Sequence, residues 1–357
     1  MPDCLKPLPV SSDVDLETPA VLRLAARAHR ALAELKGAAA TIPNEAILID
    51  TLALQEAKDS SAIENIITTD DQLFQGDVLS GQFPGAAAKE VHHYAAALKI
   101  GFRHVREQGF LRLQDILQIQ AALEQNRAGL RKLPGTVLKN ENTGEVVYQP
   151  PQDPAEIERL MANFLEYFHR DEPGDSDPLV RMAVMHYQFE SIHPFYDGNG
   201  RTGRILNLLH LVMHGLLDLP VLYLSRYIVR HKPDYYRGLQ AVREHGAWEA
   251  WVLYMLSAVE ETSRETLTKV RGIRDLMQTT KQRLRSDLPK LYSQDLLNNL
   301  FRHPYTKSEF IERDLGVSRP TAVKYLEALA AAGLVRKAKL RRTNFYINEA
   351  LFELLSQ

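Results

Sequence analysis

The chain has 357 residues, of which 45% are hydrophobic and 25% charged, and its formal net charge at pH 7 is −2. This length corresponds to two or three domains, and the composition is typical of soluble globular proteins rather than disordered, fibrous or membrane-spanning ones. The near-neutral charge argues against a polycation that wraps nucleic acid. A single cysteine, Cys4, cannot form an intramolecular disulfide or a cysteine-rich zinc site, so we expect a cytoplasmic protein.

Helical periodicity dominates the first 280 residues. Apolar residues recur at intervals of three and four in residues 20–35, 89–105, 113–123, 154–168 and 178–189. The exception is the segment 135–150, where Val137 and the run Val146-Val147-Tyr148 flank the turn residues Asn142-Thr143-Gly144. This pattern predicts a small β-hairpin. The predicted fold class is therefore mainly α, with little sheet.

The last 77 residues differ in charge from the rest, because residues 281–357 contain 14 Lys and Arg against 8 Asp and Glu. Short helices are predicted at 296–301, 307–315 and 319–331, with a turn at 316–318, and two strands follow in LVRKAKL and TNFYI. This order resembles a winged helix-turn-helix domain, whose third helix would enter a DNA major groove. Such domains also serve as docking modules, so both roles stay open.

A polar, glycine-rich loop precedes an apolar helix in residues 191–215, SIHPFYDGNGRTGRILNLLHLVMHG. Gly198 and Gly200 allow a tight turn that exposes backbone N–H groups. The helix that follows directs its unpaired N–H groups and the positive end of its dipole at the same turn. The loop therefore predicts an anion site suited to phosphate.

Side chains around this loop extend the prediction from phosphate to nucleotide. Arg201 and Arg204 are three residues apart, so both guanidinium groups can face one site, which implies more than one phosphate. Asp197 is a suitable ligand for a magnesium ion that bridges phosphate oxygens. His193, whose ordinary pKa is about 6.5, is the candidate base. The loop is not a P-loop, because the Gly-Lys-Ser/Thr ending is missing.

The segment from His193 to Arg204, HPFYDGNGRTGR, resembles the signature of the Fic (filamentation induced by cAMP) family, H-x-F-x-D/E-G-N-G-R-x-x-R, at every constrained position. The resemblance extends over most of residues 1–280. Family members are helical proteins that mostly transfer AMP from ATP to a hydroxyl side chain of a target protein. The resemblance thus implies a protein adenylyltransferase with ATP as substrate and Mg2+ as cofactor.

The family scheme implies a role for each residue of the motif. His193 would take the proton from a Ser, Thr or Tyr hydroxyl, whose oxygen attacks the α-phosphate as pyrophosphate leaves. Asp197 would hold Mg2+ between the α- and β-phosphates, and the β- and γ-phosphates would contact Arg201 and Arg204. The nucleotide-binding residues implied in the loop, including the anion hole around Asn199, are Gly198, Asn199, Gly200, Arg201, Thr202, Gly203 and Arg204.

The resemblance also implies functions for two further segments. The hairpin at 135–150 occupies the position of the family's flap, which pairs as an added strand with an extended segment of the target. Residues 234–237 resemble the segment beside the adenine, so Tyr236 is the candidate base contact, with helix packing as the alternative.

A second motif lies upstream, where residues 56–66 are predicted to form a helix with Ser60 and Glu64 one turn apart. Ser60-x-x-x-Glu64-Asn65 resembles the family's inhibitory motif, S/T-x-x-x-E-G/N. The resemblance implies that Glu64 pairs with Arg204 and competes with the γ-phosphate for the same guanidinium. We therefore expect low basal activity.

The predicted organisation is an N-terminal helical region (1–100) with the inhibitory helix, a Fic core (101–280) and a winged helix domain (281–357). One alternative is a DNA-binding regulator whose core only senses nucleotide. Its phosphate contacts would be Arg319, Lys324, Arg336, Lys337, Lys339, Arg341 and Arg342. Another is a de-adenylylating Fic enzyme. The partners implied are ATP and a target protein, with a homodimer and DNA bound through residues 319–342 as further expectations.

Overall fold

The computed structural model describes residues 5–78, 83–139, 143–172, 174–340 and 343–357. Its helices are α1 Pro19–Ala39, α2 Glu45–Ile63, α3 Asp70–Val78, α4 Ala86–Gln108, α5 Leu113–Glu124, α6 Pro154–His169, α7 Pro178–Ile192, α8 Asn199–Met213, α9 Leu224–Arg230, α10 Lys232–His245, α11 Trp248–Asp287, α12 Gln294–Arg302, α13 Ser308–Leu315, α14 Arg319–Ala331 and α15 Glu349–Ser356. The strands are β1 Leu138–Lys139, β2 Val146–Tyr148, β3 Tyr305–Thr306, β4 Arg336–Leu340 and β5 Thr343–Ile347. The predicted mainly α class is confirmed.

Side-chain caps and prolines set the starts of several helices. Asp153 and Asp177 each accept a hydrogen bond from a backbone N–H of the first turn of α6 and α7, and a proline follows each of them. Asn44 caps α2 in the same way. Such caps satisfy donors that have no partner within the helix, and proline at the first helical position gives up no hydrogen bond.

Helices α7 and α8 form the centre of the core. Every residue of α7 from Leu179 to Ile192 is buried, and α8 is buried from Arg201 to Leu211. A helix that is buried on all sides cannot shift without disturbing its neighbours. The glycine-rich loop connects these two helices and is therefore held at both ends by packed structure.

The structure refines two of the predicted segments. Helix α2 starts at Glu45 and ends at Ile63, so Glu64 and Asn65 follow the helix instead of lying within it. Asn65 adopts a left-handed conformation with φ of 62°, which terminates the helix. The hairpin is shorter than predicted, with Leu138 opposite Tyr148 and Lys139 opposite Val146, and residues 140–142 of its turn lie outside the described residues.

The predicted domain boundaries fall inside helices, because α4 runs through residue 100 and α11 runs through residue 280. Beyond α11, the three predicted helices and two strands are all present. The strand β3 and the helix α15 were not predicted. The three strands form an antiparallel sheet in the order β3-β5-β4. Within the described part of the chain, no helix has both the length and the apolar character needed to cross a membrane.

Candidate active site

The loop between α7 and α8 begins at His193, which has a left-handed backbone conformation with φ of 48°. Its N–H donates to the carbonyl of Phe189 at 2.9 Å and closes the end of α7. Its own carbonyl accepts a hydrogen bond from Nε of Arg131 at 2.7 Å, and the N–H of Arg131 donates to Pro194 at 2.9 Å. Arg131 is buried and fixes the backbone that presents His193. No motif surrounds Arg131 in the sequence, so its role could not be predicted.

The environment of the His193 imidazole favours its neutral form. Burial lowers the pKa of His193 to about 4, and the positive charge of Arg131 acts in the same direction. A contact between the ring and the backbone of Glu190 acts in the opposite direction with a smaller effect. At neutral pH the side chain is therefore an unprotonated imidazole that can accept a proton.

The side chain of Asn199 closes the loop on itself. Its Oδ1 accepts from the N–H of Phe195 at 2.8 Å, and its Nδ2 donates to the carbonyl of Phe195 at 2.8 Å. Both ends of the amide are thus used within the loop. Asn199 shapes the turn, and its backbone is the part that remains available to an anion.

Close approach requires glycine at two positions of the turn. Gly198 has φ of 74°, and a Cβ added there would collide with Oε1 of Glu124. A Cβ at Gly200 would lie 2.8 Å from both Nη1 of Arg204 and Oε1 of Glu64. The backbone therefore lies close to charged side chains at both glycines, Glu124 of α5 at Gly198 and Glu64 and Arg204 at Gly200.

Glu64 lies between the two arginines of the motif. Its Oε1 is 2.7 Å from Nη2 of Arg204, and its Oε2 is 2.7 Å from Nε of Arg201. Arg204 also donates from Nε to Oγ of Ser60 at 2.7 Å and from Nη2 to the Ser60 carbonyl at 3.0 Å. The structure thus brings Ser60, Glu64 and Arg204 together, as the inhibitory motif implied. The contact with Arg201 was not expected.

Arg201 also contacts two carboxylates that were not predicted from the sequence. Its Nη1 donates to Oε2 of Glu90 at 2.7 Å, and its Nη2 lies 2.9 Å from Oε1 of Glu124. The two arginine side chains are only 3% and 2% exposed. Buried guanidinium groups need such partners, because an unpaired charge in the interior is costly.

Asp197 differs from these residues in that its side chain is 76% exposed. Its Oδ1 accepts the N–H of Gly198 at 2.7 Å. In the described ranges, no three His, Cys, Asp or Glu side chains converge as metal ligands. An accessible carboxylate beside a phosphate site fits Mg2+, which takes one or two carboxylates and completes its shell with phosphate oxygens and water.

The remaining motif residues, Thr202 and Gly203, pack in the interior. The side chain of Thr202 is fully buried, and a Cβ at Gly203 would lie 2.9 Å from Oε1 of Glu190. Burial raises the pKa of Glu190 to about 7. Thr202 and Gly203 therefore pack α8 against its neighbours, and the buried Thr202 side chain is not exposed to a ligand.

The two tyrosines of α10 have different environments. Tyr235 is buried, and its hydroxyl lies 2.8 Å from Nε2 of His186. Tyr236 is 48% exposed and contacts Tyr235 edge to face. Helix packing therefore accounts for Tyr235, whereas Tyr236 is placed where a ligand could reach it.

The hairpin is anchored at the end of α7 that precedes His193. The hydroxyl of Tyr148 donates to the carbonyl of Ser191 at 3.0 Å, two residues before His193. Val146 and Val147 expose large parts of their side chains on the same short strand. The hairpin thus presents an apolar strand next to the candidate base.

Several of the basic residues predicted to form a cationic surface on the C-terminal segment form ion pairs with glutamates. Arg319 lies 3.6 Å from Glu309, and ion pairs also join Arg336 to Glu349 and Lys337 to Glu327. Arg341 and Arg342 lie outside the described residues. These pairs reduce the positive potential that the sequence suggested.

A helical core that presents a glycine-rich, arginine-bearing turn between two buried helices defines the Fic class of proteins. Three family profiles match the chain: Fic/DOC family N-terminal at residues 22–103, Fic/DOC family at 110–211, and protein adenylyltransferase SoFic-like, C-terminal domain, at 276–351. The chain belongs to the Fic/DOC family.

Curated relatives carry the name protein adenylyltransferase Fic. The protein from Aedes aegypti is 30% identical over 168 residues, which cover 47% of this chain and 32% of the relative. The protein from Nematostella vectensis is 30% identical over 112 residues, which cover 31% of this chain and 25% of the relative. The match therefore spans a third or less of the length of these relatives.

Solved structures agree on the fold. A Fic family protein from Desulfovibrio desulfuricans superposes with a TM-score of 0.59 at 21% identity, covering 96% of this chain and 98% of the other. A Fic domain containing signaling protein from Bacteroides thetaiotaomicron gives a TM-score of 0.53 at 17% identity, covering 70% and 95%. At these identities the likeness concerns the fold alone.

Proposed function

We propose that this protein is an adenylyltransferase that transfers AMP from ATP to a Ser, Thr or Tyr hydroxyl of a target protein and of itself, and that Glu64 inhibits it. The observation that carries the proposal is the position of Glu64 between Arg201 and Arg204, beside the glycine turn. Relatives named protein adenylyltransferase Fic support the same reaction.

The geometry supports a simple transfer mechanism. The neutral imidazole of His193 takes the proton of the target hydroxyl, and the hydroxyl oxygen attacks the α-phosphorus. The bond to the β-phosphate oxygen breaks, pyrophosphate leaves, and AMP remains as a phosphodiester on the target. The backbone N–H groups of residues 199 and 200, in the first turn of α8, would face the negative charge of the phosphates.

Asp197 is the residue that would hold Mg2+ in this site. When bound, the ion would neutralise phosphate charge and help to orient the pyrophosphate leaving group. The accessibility of the Asp197 carboxylate supports this assignment.

Inhibition follows from competition for one cation. The carboxylate of Glu64 contacts Arg204 at 2.7 Å, and the γ-phosphate of ATP would require the same guanidinium. Two anions beside the same guanidinium would also repel each other. ATP bound beside Glu64 would therefore place its α-phosphate poorly for attack.

For the C-terminal segment, we propose a winged helix that docks on the core rather than a DNA-binding unit. An ion pair joins Arg302 of α12 to Asp50 of α2, and Tyr305 stacks on Phe74 of α3 with ring centroids 6.2 Å apart. Duplex binding whose affinity falls steeply with salt would favour the DNA-binding alternative instead.

The test compares labelling by ATP that carries the label on the α- or the γ-phosphate, with Mg2+ and a cell lysate. We expect Glu64→Gly to incorporate α-label about tenfold faster than the wild type, because a charge-assisted contact is lost. Glu64→Gln should give an intermediate rate, and His193→Ala in the Glu64→Gly background should incorporate none. Glu45→Gly, in the first turn of α2, is the control and should label like the wild type.

The two labels separate the outcomes. Incorporation of the γ-label would show phosphorylation and contradict AMP transfer. Equal α-labelling by the wild type and Glu64→Gly would contradict inhibition while leaving the transfer reaction intact.

A further inference from the structure

Arg201 is surrounded by more negative charge than it can neutralise. Nε, Nη1 and Nη2 lie 2.7, 2.7 and 2.9 Å from carboxylate oxygens of Glu64, Glu90 and Glu124. Among the described residues, Glu64 supplies the only carboxylate within 4 Å of Arg204. When Glu64 withdraws, Arg201 therefore keeps the close carboxylates of Glu90 and Glu124, with Asp197 at 4.0 Å. Arg204 then keeps no carboxylate within 4 Å among the described residues.

The position of Glu124 indicates that it has a structural role and is not simply a solvent-exposed surface charge. It is the last residue of α5, where the negative end of the helix dipole disfavours a carboxylate. Its side chain is only 11% exposed, and it lies against the backbone of Gly198. A buried carboxylate at this end of a helix needs a cation, and Arg201 is that cation.

We propose that Glu124 is a positioning residue of the anion site, which together with Glu90 holds Arg201 as a fixed support for the glycine turn and leaves Arg204 to bind the triphosphate. This inference rests on the proposed function and refines it, because the family resemblance gave both arginines a phosphate.

Charge and geometry support this division of roles. Burial raises the pKa of Glu124 to about 7, so at neutral pH Glu124 and Glu90 together still offset the positive charge of Arg201 and leave it no net attraction for a terminal phosphate. Glu90 belongs to α4 and Glu124 to α5, so the two contacts attach Arg201 to both helices. A planar guanidinium held at two nitrogens has a fixed orientation. The first turn of α8, which carries the phosphate-facing N–H groups, is thereby fixed as well.

The test depends on the sign of a change in ATP affinity, measured by calorimetry in the Glu64→Gly background. If Arg201 bound phosphate, removing a competing carboxylate with Glu124→Ala would tighten ATP binding. The positioning role predicts no increase in ATP affinity, because a displaced turn loses backbone contacts with the phosphates and this loss outweighs the removal of one negative charge. It also predicts that kcat falls about tenfold with a smaller change in KM, as expected for a misplaced turn.

Two variants sharpen the comparison. Glu124→Gln keeps the size and an acceptor for Arg201, so we expect it to retain more of kcat than Glu124→Ala. Glu107→Ala removes an exposed glutamate of α4 and should leave kcat and ATP affinity unchanged.

A second measurement does not require ATP or transfer. In urea unfolding, we expect the double variant Glu124→Ala/Arg201→Ala to be destabilised by clearly less than the sum of the two single variants, because both remove the same contact. Tighter ATP binding by Glu124→Ala, or additive unfolding effects, would overturn the proposal. Loss of labelling in the parent Glu64→Gly variant would instead count against the proposed function alone.

Discussion

The position of His193 depends on a residue far from the motif. Nη2 of Arg131 donates to the carbonyl of Pro151 at 2.9 Å, in addition to the contact of Nε with the His193 carbonyl. Arg131 thus joins the end of the hairpin segment to the start of the glycine loop. Its charge also lies close enough to lower the pKa of the imidazole.

This arrangement predicts how activity depends on pH. A base with a pKa of about 4 stays unprotonated at pH 5 and above, so the rate of the Glu64→Gly variant should fall only as the pH approaches 4. Arg131→Gln removes a cation, which raises the pKa of His193 towards 6.5, so the acid limb should move to higher pH. The measurement is the initial rate of AMP transfer between pH 4 and 8.

Arg131→Lys is the matched control for this prediction. It keeps the positive charge but loses the planar pair of donors, so the rate should fall while the acid limb moves less than in Arg131→Gln. An identical acid limb in all three proteins would show that Arg131 acts on the loop by position only.

The sequence was sufficient to predict the residues of the glycine-rich motif and of the inhibitory motif, because the spacing of these residues along the chain identifies each motif. It was not sufficient for Glu90, Glu124 and Arg131. Glu90 lies 111 residues before Arg201, and Arg131 lies 62 residues before His193. A single carboxylate or arginine in a helix or loop is compatible with a solvated surface, and only tertiary packing brings these residues to the site.

At the level of elements, the inhibition that we propose would depend on the end of α2 rather than on the whole helix. The interior of α2 is held firmly: Glu56 is fully buried and accepts from the N–H of Ser225 at 3.0 Å. Glu64 comes one residue after the last helical residue and is followed by the left-handed Asn65. Glu64 can therefore leave the arginines through a local change, while α2 stays packed.

The conformation of Asn65 gives a second test of inhibition. Alanine is disfavoured in the left-handed region by about 1 kcal/mol, so Asn65→Ala should loosen the end of α2 and raise basal AMP transfer about fivefold. Asn65→Gly also lacks the amide that Lys232 contacts at 3.2 Å, but tolerates the conformation, and should raise the rate less. The measurement is self-labelling with α-labelled ATP; a larger increase in Asn65→Gly than in Asn65→Ala would contradict backbone strain as the cause.

Long helices whose first residues are marked by an aspartate and a proline were predictable from the sequence, whereas short elements were not. The predicted start at Pro154 matches α6, and the predicted start at Pro178 matches α7, because proline and a preceding aspartate mark both. The strand β3 has two residues, too few to show an alternating pattern. The end of α2 was misplaced by about three residues, since Asn65 ends the helix through a backbone conformation that composition alone does not reveal.

At the scale of the whole molecule, the C-terminal segment is packed onto the helical core. Asp50 of α2 binds both Lys99 of α4, at 2.5 Å, and Arg302 of α12. Nζ of Lys269 in α11 donates to the carbonyls of Leu354 and Leu355 at the end of α15, at 3.2 and 3.0 Å. These contacts join residues far apart in the sequence into one interior.

We therefore expect the full chain to unfold in one cooperative transition. Tryptophan fluorescence reports on α11, which carries Trp248 and Trp251, while far-ultraviolet circular dichroism reports on all helices. The two signals should have the same midpoint. Tyr305→Ala, which removes a buried ring at the interface, should destabilise the protein by about 3 kcal/mol and lower both midpoints together. A separate early transition seen only by dichroism would show that the C-terminal segment unfolds on its own.

The amide of Asn199, which ties the glycine turn to Phe195, has a consequence for nucleotide recognition. A turn that already holds its shape gives up little conformational entropy when a ligand arrives. In the mechanism that we propose, ATP binding would then be limited by displacement of the Glu64 carboxylate rather than by ordering of the turn. The basal rate of AMP transfer would then depend on how strongly Glu64 is held. Each 1.4 kcal/mol by which the contacts of Glu64 are weakened raises the fraction of molecules with a free Arg204 about tenfold, while that fraction is small.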